Sequence, residues 1–119
     1  MLPATIDLLA FMGQSNMAGR GVAAQAPAVP EGHGYEFRAI TAPDRLSPLV
    51  EPFGQHEDKP DGIYEPGMKT GSMVSSFVNA YYAETGTPVV GVSAAKGGSA
   101  IAEWLPGGAY YRDAVERVQ

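Results

Sequence analysis

Ser15 is the side chain best placed to do chemistry. It lies in Phe11-Met12-Gly13-Gln14-Ser15-Asn16-Met17-Ala18-Gly19-Arg20, directly after the short apolar run Ile6-Asp7-Leu8-Leu9-Ala10-Phe11-Met12. Such a run reads as a strand buried on both faces of a parallel sheet, and Gly13 breaks it. A serine in the turn leaving a strand sits beside main-chain N–H groups that the sheet does not use. Those groups can stabilise an oxyanion while the hydroxyl attacks a carbonyl. The competing reading is structural: serine is a preferred helix cap, and a helix beginning near Asn16 would need one. Spacing alone favours the cap.

The string itself shifts that balance. Gly13-Gln14-Ser15-Asn16-Met17-Ala18-Gly19 resembles the first sequence block of the SGNH (GDSL-like) hydrolase superfamily, and within it the sialate O-acetylesterase and carbohydrate-esterase branch. A second stretch, Lys96-Gly97-Gly98-Ser99-Ala100-Ile101-Ala102-Glu103-Trp104, resembles that branch's Gly-Gly-Thr-Ser-Ile-x-x-Trp block, with Ser-Ala after Gly98 in place of Thr-Ser. The resemblance implies Ser15 as nucleophile and the N–H groups of Ser15 and Gly98 as the oxyanion hole. It implies Gln14 and Asn16 as supports of the serine loop, and Trp104 near the pocket wall. It implies removal of O-acetyl groups from carbohydrates, with no metal or organic cofactor.

The same resemblance marks what the chain lacks. Two downstream blocks of the family do not occur: one around Gln-Gly-Glu, and the Asp-x-x-His pair whose histidine is the serine's general base. Residues 1–119 therefore correspond to the N-terminal portion of a single SGNH-type esterase domain. The implied fold is a three-layer α/β/α arrangement on a parallel sheet, flavodoxin-like, truncated after the third strand. The alternative function is a non-catalytic fragment or carbohydrate-binding remnant lacking the catalytic Asp-His pair. His33 and His56, the two histidines present, both fall in a proline-rich stretch and read as solvated loop residues rather than as the base.

The elements that must position the two motifs follow from periodicity. Residues 70–85 carry Met73, Val74, Phe77, Val78, Tyr81 and Tyr82 at helical spacing, with Thr70 or Ser72 to start the helix and Gly86 and Pro88 to stop it. Pro88-Val89-Val90-Gly91-Val92-Ser93 reads as a second buried parallel strand, giving a β-α-β unit. Both motifs would then leave the carboxyl ends of parallel strands, where sites form in open sheets. Between them, residues 22–69 hold seven of the ten prolines. Tyr35-Glu36-Phe37-Arg38-Ala39-Ile40 is the one plausible strand there, and the rest is expected to wrap over the serine. After a short helix at 99–105, residues 109–119 read as an amphipathic helix. Tyr111, Ala114, Val115 and Val118 form one face, and the pairs Arg112–Glu116 and Asp113–Arg117 lie on the solvated side.

Composition bounds the partners. A chain of 119 residues is one domain at most. A net charge of −5 with eight scattered Lys and Arg argues against nucleic acid, which needs a concentrated basic patch. There is no cysteine, hence no disulfide or thiolate nucleophile. No stretch is long enough to span a membrane, and the N-terminal run lacks the basic segment of a signal peptide. The expected location is cytoplasmic, or secreted if a signal has been removed. His56-Glu57-Asp58 lacks metal-ligand spacing and reads as a polar loop. With a strand missing, the run at 88–93 is expected to be an unpaired apolar edge. That would favour a homo-oligomer or a partner chain carrying the other half.

Overall fold

The computed structural model describes residues 5–119. Four strands form one sheet: β1 (Asp7–Gly13), β2 (Gly34–Arg38), β3 (Ala42–Pro48) and β4 (Val89–Ala95). Their order is β1-β4-β2-β3. β4 runs parallel to both β1 and β2, while β3 returns antiparallel along β2. Three α-helices accompany the sheet: α1 (Ser15–Ala18), α2 (Val74–Thr85) and α3 (Ala109–Val118). Among the described residues no helix is long and apolar enough to cross a membrane.

The run expected at 88–93 is not an edge. β4 lies between β1 and β2, and all seven of its residues are buried. Its β-branched, nearly continuous apolar sequence suits that central place. The run at 6–12, expected to be covered on both faces, is the one at the rim. Leu8 is 54% and Met12 38% exposed, while Phe11 on the opposite face is 6% exposed. Alternation along β1 is that of a strand with one covered face.

β3 is a strand that proline content argued against. Pro43 and Pro48 fit because β3 is the outermost strand, where a missing N–H costs no ladder bond on the open side. Among the described residues the sheet therefore has four strands rather than three.

Two apolar clusters hold the elements. Phe11, Leu49, Phe53, Val74, Val78 and Val89 form the first, with Phe77 and Tyr81 of α2 against it. Ile63, Ala94 and Ala114 form the second, with Trp104 and Tyr110. α2 begins at Val74, four residues later than its periodicity suggested. Ser72 still serves its start, its hydroxyl accepting the Val74 N–H at 3.1 Å. Gly86 ends α2 in the left-handed region at φ 71°, its N–H donating to the Tyr82 carbonyl.

α3 buries a different face from the one its apolar residues suggested. Asp113, Ala114 and Arg117 are buried, and Val118 is exposed. Arg117 donates to Asp113 through Nε at 2.9 Å and Nη2 at 3.2 Å, and through Nη1 to the Ser93 carbonyl of β4 at 3.1 Å. Asp113 also accepts the Ile63 N–H at 2.7 Å. The i,i+4 pair lies inside because both charges are compensated by each other and by main-chain groups.

The segment from Leu49 to Met73 has almost no regular structure, yet it is nailed down. An irregular backbone leaves N–H groups without a ladder, and buried or half-buried carboxylates accept them. Glu51 accepts from Phe53, Ser72 and Ser75, Glu57 from Ile40, and Asp58 from Glu65. The His56-Glu57-Asp58 stretch is thus structural at its centre, with Glu57 buried.

Candidate active site

Parallel pairing of β1 with β4 runs to the ends of both strands, Gly13 opposite Ala95. The ladder continues one step further, Lys96 donating its N–H to the Gly13 carbonyl at 2.9 Å. The Ser15 turn and the Lys96–Ser99 turn therefore leave neighbouring strands at the same edge of the sheet. Ser15 is half-buried and Gly98 is exposed, so neither is sealed inside packed hydrocarbon.

Ser15 is the first residue of α1, and Gln14 occupies the cap position without a side-chain cap bond. The serine hydroxyl is not spent on capping. α1 is closed by main-chain bonds, Ala18 N–H to Gln14 O at 2.9 Å and Gly19 N–H to Ser15 O at 2.8 Å. Gln14 and Asn16 are exposed, and among the described residues their side chains make no hydrogen bond. They face different grooves. Gln14 lines one of about 290 Å³ with Met12, Gly13, Ser99, Ile101 and Trp104. Asn16 lines a more polar one of about 510 Å³ with Arg20, Val22, Gln25, Ser72 and Met73.

Trp104 braces the second turn from within. Its Nε1–H donates to Ser99 Oγ at 2.9 Å, and that hydroxyl donates to the Lys96 carbonyl at 2.8 Å. The indole packs beside Tyr110, ring centroids 5.5 Å apart. Lys96 Nζ donates to the Gly97 carbonyl at 3.3 Å.

The remainder of the serine segment docks on the loop before α2. Gly21 and Gly71 exchange both main-chain bonds at 2.8 Å, and Thr70 donates its N–H to the Gly19 carbonyl. Arg20 and Glu65, which sequence reading did not single out, meet here. Arg20 Nη2 donates to Glu65 Oε2 at 2.9 Å, and the same oxygen accepts the Gly97 N–H at 3.0 Å. Lys69 lies buried beside Glu65, Nζ 3.5 Å from Oε1. Burial pushes the Lys69 ammonium below its ordinary pKa, with Glu65 and Asp58 opposing that shift. Burial also raises the Glu65 carboxyl. The Gly97 N–H, the Arg20 hydrogen bond and the charges of Lys69 and Arg20 outweigh it and leave the group below its usual range.

Neither histidine lies at the serine turn. His33 stacks on Tyr82 of α2 with ring centroids 3.7 Å apart. It precedes Gly34, which pairs with Val89 at the amino-terminal edge of the sheet. His56 lines a cavity of about 40 Å³ with Glu36, Arg38 and Thr41, beyond β2. That is two strands from β1, about 10 Å at the usual strand spacing. Among the described residues no group of three or more His, Asp or Glu side chains is arranged to hold a metal ion.

A family model described as carbohydrate esterase, sialic acid-specific acetylesterase, matches residues 5–119. The chain belongs to this carbohydrate-esterase family. No curated protein matches it. A solved X-ray structure of a protein from Arabidopsis thaliana is similar in fold, with a TM-score of 0.73 and 23% identity. The likeness covers 96% of this carbohydrate-esterase chain and 50% of the Arabidopsis chain, so the sequence spans half the length of that relative.

Proposed function

We propose that the chain carries the nucleophile-bearing portion of a serine carbohydrate O-acetylesterase. Ser15 Oγ attacks the acetyl carbonyl, and the N–H groups of Ser15 and Gly98 stabilise the oxyanion. The sugar oxygen leaves with a proton from a general base acting as acid. Water then attacks the acetyl-serine, giving acetate and free Ser15. The observation supporting this is the Lys96–Gly13 hydrogen bond, which brings both motif turns to one sheet edge. Family membership supports the carbohydrate ester as substrate class. The reading includes a three-layer arrangement, with α2 and α3 on opposite faces of the sheet.

A second reading has its own observation. With His33 at the far edge and His56 two strands away, the chain alone lacks a base for Ser15, which makes it a binding portion with little turnover. Loss of one triad member leaves on the order of 10³ to 10⁴ over water. The test is hydrolysis of 4-nitrophenyl acetate by the isolated chain and by Ser15→Ala. Weak turnover that disappears with Ser15→Ala is expected. Equal rates for the two proteins would overturn Ser15 as nucleophile, and fast saturable turnover by the isolated chain would overturn the missing base.

A further inference from the structure

We propose that Glu65 is a positioning residue for the Gly97–Gly98 turn, its buried carboxylate tying that turn to Arg20 of the serine segment. The meaning of this tie for catalysis rests on the roles given above to Ser15 and Gly98.

One oxygen does the joining. Glu65 Oε2 accepts the Gly97 N–H at 3.0 Å and the Arg20 Nη2–H at 2.9 Å, and the Glu65 side chain is 2% exposed. Arg20 cannot swing away freely, because its Nη1 also donates to the Gly19 carbonyl at 3.2 Å and to the Met68 carbonyl at 3.0 Å. Arg20 follows Ser15 by five positions, and Gly97 immediately precedes the candidate oxyanion donor. The two turns are thus connected twice: through the Lys96–Gly13 ladder bond, and through this side-chain bridge across the loop.

The bridge fixes the relevant peptide from its neighbour. The Gly98 N–H belongs to the same planar unit as the Gly97 carbonyl, and Lys96 Nζ holds that carbonyl at 3.3 Å. Glu65 holds the other side of Gly97. With both flanks of Gly97 engaged, the direction of the Gly98 N–H is set before any substrate arrives, as oxyanion stabilisation requires.

Glycine at 97 is a condition of the bridge. A Cβ there would lie 2.3 Å from Arg20 Nη2 and 3.2 Å from Glu65 Oε2. A carboxylate is also a condition, because only an ionised acceptor gives charge-assisted bonds to a main-chain N–H and a guanidinium at once. Glu65 itself does not reach the acyl group and acts through Gly97.

The test is NMR on the isotope-labelled chain, with no hydrolysis in the readout. In the unmodified chain, the Gly97 amide proton and the Glu65 carboxyl carbon are expected to titrate with one shared midpoint, below the ordinary glutamate range. Different midpoints, or a Gly97 amide indifferent to that titration, overturn the bridge. In Glu65→Gln, the Gly97 amide is expected to exchange about tenfold faster, with a lowered Gly98 ¹⁵N–¹H NOE and unchanged exchange at Val90–Val92. Unchanged Gly97 and Gly98 signals overturn the positioning role. If Glu65→Gln loses protection everywhere, Arg20→Lys replaces it, with the same local pattern expected at Gly97 and Gly98. A global loss in both variants overturns the proposal in favour of a purely structural carboxylate. Failure here leaves the Ser15→Ala assay untouched. Failure of that assay leaves the bridge in place but without a catalytic use.

Discussion

Lys96 donates its main-chain N–H to the carbonyl of Gly13 at 2.9 Å, extending the β1–β4 ladder one residue past the end of β4. Two segments 83 positions apart, counted from Gly13 to Lys96, thereby start their turns from one hydrogen bond. The two glycines that follow Lys96 can be tested separately.

Gly97 and Gly98 should respond differently to alanine. Gly98 has φ +71° and open space where a Cβ would go, so Gly98→Ala is expected to cost about 1 kcal/mol from backbone strain alone. Gly97→Ala drives a methyl into the Arg20 guanidinium and is expected to cost at least about 2 kcal/mol. Urea unfolding of the two variants measures the order; a larger loss for Gly98→Ala would contradict it.

The buried Asp113–Arg117 pair makes a second prediction. Removing one partner strands the other charge, so Arg117→Met or Asp113→Asn should destabilise by about 3–5 kcal/mol. The double variant Asp113→Leu/Arg117→Met should lose less than the sum of the two single changes. A double-mutant cycle by chemical denaturation provides the check.

Glu36 supplies a pH dependence. Burial raises its carboxyl from the ordinary 4.5 to about 7, with the nearby Glu57 charge adding to the rise and Arg38 and the Gly54 N–H opposing it. A carboxyl whose pKa is raised by folding binds its proton more tightly folded than unfolded. Its contribution is therefore present at low pH and lost as pH rises from 4.5 through about 7. Against Glu36→Gln, which keeps the neutral shape, the unmodified chain should lose on the order of 3 kcal/mol across that window. Denaturant midpoints of both proteins at several pH values would reveal a difference that does not grow with pH, should the argument fail.

Glu51 anchors the start of α2 by accepting the N–H groups of Ser72 and Ser75 at 3.0 and 3.2 Å, and that of Phe53 at 3.1 Å. Glu51→Ala leaves these donors without an acceptor and is expected to cost about 2 kcal/mol. Amide exchange should show the loss concentrated at residues 72–76, and uniform loss through the sheet would argue against a local role.

The legible parts of this fold were those with one dominant local signal. The α2 stripe from Val74 to Tyr81, the stop at Gly86, and the β-branched run of β4 declare themselves in a few residues. The turn at Ser15 did so through its exact string. What escaped reading depends on contacts between segments far apart in the chain. Strand order decides that β4 is central and β1 peripheral, and no residue within either strand encodes its neighbour. β3 was hidden because proline is read against central strands, and edge position is a property of the sheet. Asp113 and Arg117 looked solvated because an i,i+4 ion pair is the mark of an exposed helix face. Their burial depends on Ile63 and Ser93. Glu65 carries no motif at all, and its partners lie 45 and 32 positions away.

The rim position of β1 couples two things that are usually separate. Among the described residues, the strand leading to Ser15 also presents an open N–H and C=O row on its outer side. A polypeptide laid along that row would run about 4.8 Å from β1, its end arriving beside the serine turn.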